Sequence, residues 1–157
     1  MKKIQIALFV FITSLMISCG GNEVVFQEAH QFDKFGWNRF KEIYFEPQIQ
    51  DVSKTYLVKL HLRLNDKYPY DYMQVQFTKE SSDGESYIKM FSLPVKGLDG
   101  EFLDNPGDSI HIVKGILTNQ MFFNKPGKYK IGIKQIMPKF DTPGVESVRL
   151  IIEKRNK

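Results

Sequence analysis

Between Tyr56 and Leu64 the chain alternates most clearly: Tyr56, Val58, Leu60, Leu62 and Leu64 fall on one side, Lys59, His61 and Arg63 on the other. A repeat of two residues belongs to an extended strand, because successive side chains leave a pleated backbone on opposite faces. One apolar and one charged face means burial on one side only. Antiparallel sheets permit that, whereas all-parallel sheets bury both faces and read as continuous apolar runs.

The same signature recurs along the chain. Met73, Val75 and Phe77 oppose Gln74, Gln76 and Thr78, and Ser81-Ser82-Asp83-Gly84 then supplies turn residues before a stretch from Ser86 to Val95, which predicts a hairpin. Further strands are expected at Val24 to Ala29, Glu42 to Glu46, Ser109 to Leu117, Lys128 to Ile136 and Val148 to Ile152, with Pro and Gly breakers between them. A content of 13 Phe and 7 Tyr suits strands better than helices. The expected fold is all-β, a two-layer antiparallel sandwich of immunoglobulin-like or jelly-roll-like type, with a closed barrel as the alternative. Tyr129, at the entry to a late strand, is placed to anchor a corner through its hydroxyl.

The amino-terminal segment has a different logic. Met1-Lys2-Lys3 is basic, Ile4 to Ile17 is almost wholly apolar, and Met16-Ile17-Ser18-Cys19 reads as a lipobox. The apolar run, about 14 residues, falls short of the roughly 20 that span a bilayer as a helix. The expectation is a cleaved lipoprotein signal over 1–18, Cys19 carrying acyl chains such as palmitate, a tether over 19–22, and one sandwich domain over 23–157. An ordinary secretory signal is the alternative. Cys19 is the sole cysteine, so an intramolecular disulfide is ruled out. Gly20 in place of aspartate fits sorting to the outer membrane. The lack of a dense acidic run after Cys19 favours the periplasmic side. The net charge of +4 is spread among interspersed acids and bases rather than gathered in a stripe, so no nucleic-acid partner is expected.

Chemistry-bearing residues are sparse. His30, His61 and His111 have no metal-ligand spacing, and neither a metal nor another cofactor is expected. Ser109 and His111 would share one face of a strand, yet nothing like Gly-x-Ser-x-Gly surrounds the serine. Asp99, Glu101, Asp104 and Asp108 bring oxygen ligands close together without the rhythm of an EF-hand, and a solvated loop is the expected outcome. No enzyme is expected. Two aromatic loops hold Trp37 and the trio Tyr68, Tyr70 and Tyr72. These rings are candidate contacts for a protein partner or a glycan, with closure of the open sandwich end as the structural alternative.

Several segments, taken in order, resemble the gliding-motility lipoprotein family GldH of the Bacteroidetes. They are Cys19 after its lipobox, Gly36-Trp37, Tyr68-Pro69-Tyr70, Gly100-Glu101-Phe102-Leu103 leading to Gly107-Asp108, Phe123 to Tyr129, and Gln135-Ile136-Met137 through Pro143-Gly144-Val145 to Arg149 to Lys154. The family's usual Trp-Leu-Gly is here Phe102-Leu103-Asp104, and Pro138 stands where an arginine is common. The resemblance implies an envelope lipoprotein that gliding species require for the machinery moving surface adhesins, linked to protein secretion. It brings no catalytic residues. The implied role is a non-catalytic component of a motility and secretion complex, touching the membrane through its lipid and envelope proteins through its body. A carbohydrate-binding or substrate-capturing lipoprotein is the alternative.

Overall fold

The computed structural model describes residues 21–33, 36–104 and 108–156. The signal segment, Cys19 and the Pro106-Gly107 turn lie outside the described residues. The strands are β1 (Glu23–Gln31), β2 (Trp37–Asn38), β3 (Ile43–Phe45), β4 (Gln48–Ile49), β5 (Tyr56–Asn65), β6 (Tyr72–Glu80), β7 (Ser86–Pro94), β8 (Ile110–Met121), β9 (Gly127–Lys128), β10 (Lys130–Gln135), β11 (Asp141–Thr142) and β12 (Val145–Lys154). Every stretch with its own alternation is a strand, and no helix occurs among the described residues. β6 and β7 form the expected hairpin, in register from Tyr72↔Pro94 to Glu80↔Ser86.

Two separate four-stranded antiparallel sheets face each other, ordered β1-β12-β5-β8 and β3-β10-β6-β7, so the barrel alternative is set aside. Counting only these eight strands from the amino terminus, the orders become first-last-third-sixth and second-seventh-fourth-fifth. That is the jelly-roll arrangement of the two open alternatives. The inward row of β5 behaves as its alternation requires: Val58, Leu60, Leu62 and Leu64 are fully buried. They meet Met73, Val75 and Phe77 of β6 and Ile131 and Ile133 of β10 in one core. Each such side chain contributes about 1.5–3 kcal/mol by leaving water.

Pairing of β1 with β12 brings the start of the one and the finish of the other to the same end of the sandwich, the near end, where Glu23 lies opposite Lys154. Asn156 Nδ2 donates to Gly21 O at 2.6 Å, Asn22 Nδ2 donates to Glu153 at 3.3 Å, and Lys154 meets Glu23 at 2.6 Å. Lys128 pairs with Glu46 at 2.5 Å, and Lys125 pairs with Asp83, whose carboxyl is held well below its usual range by that contact. The Tyr129 hydroxyl donates to Lys125 O at 2.9 Å and accepts from Lys125 N at 3.1 Å, fixing the corner before β10. Beside it, buried Lys79 donates to Phe122 O at 2.8 Å and lies 5.3 Å from the centre of the Phe123 ring. Burial lowers the pKa of this amine.

Candidate contact surface at the far end

At the opposite, far end, β2 and β11 form a two-residue ladder, Trp37↔Thr142 and Asn38↔Asp141, that places two loops side by side. Two glycines make the approach possible. Gly36 has φ +84°, and a Cβ there would strike Thr142 O; Gly144 has φ +79°, and a Cβ there would strike the backbone nitrogen of Tyr68. Only glycine combines that conformation with that proximity.

Beneath the loops sits Gln135, fully buried. Its Nε2 donates to Trp37 O and to Phe140 O, both at 3.1 Å, and its Oε1 accepts from Met137 N at 2.7 Å. The amide thereby ties both loops to β10. Trp37 Nε1 donates to Lys41 O at 3.0 Å, Arg39 N to Phe140 O at 2.7 Å, and Asn38 Nδ2 to Asp141 at 2.7 Å. Phe40 N donates to Asn38 Oδ1 at 2.9 Å, completing an Asx-type turn.

On this pedestal stand Phe40 and Phe140, 72% and 62% exposed. Their ring centroids are 5.4 Å apart and their planes 30° apart. Arg39, Lys41 and Lys139 adjoin the two phenylalanines in sequence, and the carboxylates of the same segments are engaged elsewhere, Glu42 by the Tyr44 hydroxyl at 2.9 Å and Asp141 by Asn38. Sequence reasoning missed this pair. Its only local signal is that each phenylalanine directly follows a base, Arg39-Phe40 and Lys139-Phe140.

The residues singled out from sequence lie differently. Trp37 is fully buried and stacks on Phe32 with centroids 5.2 Å apart. Tyr68 is 1% exposed, donates its hydroxyl to Tyr72 O at 2.6 Å, and packs edge-on against Tyr70. Burial pushes the Tyr68 hydroxyl pKa upward. Tyr70 is half-buried against the core, and Tyr72 is 40% exposed. The four rings therefore form no common exposed ledge. The physical reason is that Trp37 and Tyr68 each find a backbone carbonyl for their single donor, which lets a large ring be buried without stranding a polar group.

Ser109 is exposed just ahead of β8, while His111 is 2% exposed and lies flat on Phe102, centroids 3.5 Å apart. Its Nδ1 lies 3.1 Å from Asp104 O and its Nε2 3.1 Å from Asp66 Oδ1, so both ring nitrogens are occupied. Asp104 also accepts from Ile112 N at 3.1 Å, and Asp99 accepts from Glu101 N at 3.1 Å. These carboxylates fasten loop backbone. Among the described residues no three His, Cys, Asp or Glu side chains gather as a metal would require. His61 is half-buried on the outer face of β5, its pKa lowered first by burial and then by neighbouring cations, and burial likewise lowers that of His30.

Concave surface is modest. A cleft of about 430 Å³ at the far end is lined by Phe32, Asn65, Lys67 and Glu146 among others. Asn65 and Arg63 donate to the Glu146 carboxylate and lower its pKa. A second cleft, about 300 Å³, lies at the near end between Val24, Ile49, Asp51 and Lys154. Phe40 and Phe140 line neither; they project.

The two sheets and their strand order define a jelly-roll sandwich whose first and last described strands pair. Residues 24–152 match the model of the GldH lipoprotein family, and the chain belongs to that family. It is 26% identical over 140 residues to the gliding motility lipoprotein GldH of Flavobacterium johnsoniae, covering 88% of this chain and 86% of that protein. Among solved structures, a family GH115 4-O-methyl-α-glucuronidase, BtGH115A, superposes with a TM-score of 0.49 at 13% identity, over 87% of this chain and 18% of the enzyme's. An infectious bursal disease virus structure superposes at 0.37 and 12% identity, over 86% of this chain and 30% of its own.

Proposed function

We propose that this membrane-anchored lipoprotein is a non-catalytic assembly component of gliding-motility machinery and its associated secretion, held in the outer membrane on the periplasmic side by acyl chains on Cys19. The observation that carries this reading is the fastening of Gly21 to the near end by Asn156. Gly21 is two positions after Cys19, a reach of at most about 7 Å for extended chain. A lipid on Cys19 therefore holds the sandwich by its near end and leaves the far end directed into the envelope space. Family membership supplies the motility context. The side chains best suited to chemistry, His111 and Asp104, are engaged in holding loops, which favours docking over turnover.

Two measurements test the proposal. Mass spectrometry of the mature protein should find acyl chains on an amino-terminal Cys19, and Cys19→Ala should release the protein from membranes. Deletion of the gene in the host should stop adhesin movement and depress secretion. A free thiol at Cys19, or a deletion strain with both processes at wild-type level, would overturn it.

A further inference from the structure

The geometry points to Phe40 and Phe140 as a docking tip for an envelope protein, which receives the two rings in an apolar pocket rimmed with carboxylates. This rests on the reading of the chain as an assembly component and names the surface and the chemistry of the partner.

Exposure comes first. Two phenylalanines at 72% and 62% exposure, in ring contact and fixed at one end of the molecule, are not the scattered apolar residues that any surface carries. They are also pre-ordered. The backbone bonds from Gln135, Arg39 and Trp37 hold both loops before any partner arrives, so little conformational freedom remains to be lost on binding. Exposed aromatics beside an arginine are the composition in which interface energy concentrates.

Shape and charge then select the occupant. The pair projects from the surface and lines neither cleft, so the partner must supply the concavity. Arg39, Lys41 and Lys139 are the sequence neighbours of the two rings, while Glu42 accepts from the Tyr44 hydroxyl and Asp141 from Asn38, so bases outnumber acids at the tip and the complementary rim is acidic. A second copy would bring like charges together. For a glycan, the rings would need to form one flat platform with polar partners, whereas their planes are tilted by 30° and neither ring carries a hydroxyl. For the bilayer, the tip is at the wrong end: the ten residues of β12 separate far end from near end by roughly 33 Å at strand rise, beyond an ~8 Å screening length.

The test uses the full-length chain in its own host, with the photo-crosslinker benzoylphenylalanine at position 40 or 140, and at the exposed Ile116 of β8 as a control position. The expected result is an adduct to the same envelope protein from both tip positions and not from Ile116, with the crosslinked peptide flanked by Asp or Glu. Lys41→Glu combined with Lys139→Glu should cut the adduct at least tenfold without moving the melting temperature. Converting the partner's nearby acid to lysine should restore it. An adduct to lipid, glycan or a second copy of this chain, an equal yield at Ile116, or insensitivity to charge reversal would overturn the proposal. If deletion of the gene stops adhesin movement while the double variant Phe40→Ala, Phe140→Ala moves normally, the tip is refuted and the assembly role survives. If deletion changes nothing, the assembly role falls, and the crosslink still decides the tip.

Discussion

The two ends of the sandwich are finished in opposite ways. At the near end, charge pairs such as Lys154–Glu23 and Lys128–Glu46 cover the surface, and the Tyr129 hydroxyl ties its loop down. At the far end, one buried amide, Gln135, gathers two loop carbonyls, and the rings above it divide into a buried Trp37 and an exposed Phe40–Phe140 pair. Exposed ion pairs contribute little stability and lose their attraction in salt, so they suit a surface that must merely be wet. A buried amide with every group satisfied holds backbone in one arrangement, which suits a surface that must present a shape. The difference teaches that an aromatic loop residue can be interior filling or display according to whether the fold offers its ring a pocket.

The comparison breaks most readily at Trp37. Trp37→Ala should cost about 3–5 kcal/mol in urea unfolding, as for other large-to-small core changes. Phe40→Ala should leave stability within about 0.5 kcal/mol, the range of surface changes. Comparable losses at both positions would mean that Phe40 is structural and the division between the rings is wrong.

Gln135→Leu sharpens the account of the pedestal. It removes bonds to Trp37 O, Phe140 O and Met137 N and leaves partners unsatisfied, so a loss of about 2–3 kcal/mol is expected. Hydrogen exchange at the amides of Arg39 and Lys41 should speed up in the same variant. Unchanged exchange there would show that the β2–β11 ladder holds the loops without the amide.

The near end should yield the smallest effect, and one that depends on pH. Glu153 accepts from Lys59 at 2.5 Å, which lowers its pKa below the ordinary 4.5. With side-chain exposures of 13% for Glu153 and 27% for Lys59, Glu153→Gln should cost about 1 kcal/mol at pH 7, somewhat above a fully exposed pair in water. A depressed folded-state pKa adds stability that is complete above the unfolded pKa and is lost as pH falls through the folded one. The gap between wild type and variant should therefore close below pH 4.5 in urea titrations. A gap that persists to lower pH would assign the loss to packing rather than charge.

Legibility follows the range of each signal. Eight strands could be read because each carries its own alternation, as in Val58, Leu60 and Leu62, or its own turn, as in Ser81 to Gly84. The sheet order could not, because the contact that zips the chain ends joins Asn22 to Glu153, 131 positions apart. The far-end surface was hidden for the same reason, since Asn38 and Asp141 meet across 103 positions. Trp37 and Tyr68 have aromatic sequence neighbours, yet Trp37 lies in β2 and both rings are core, because a ring's sequence neighbours do not reveal whether a carbonyl such as Lys41 O or Tyr72 O awaits its donor.

By itself, then, the sequence determined that this chain makes half-buried antiparallel strands, since a period of two permits nothing else, and that a lone cysteine follows an apolar segment. Tertiary structure alone decided that the strands close as a jelly roll rather than an immunoglobulin sandwich, which rings are core, and that Phe40 and Phe140 stand together. Alternation constrains each residue through its immediate neighbours. Strand order and loop pairing arise from contacts between distant segments, which pattern along the chain does not encode.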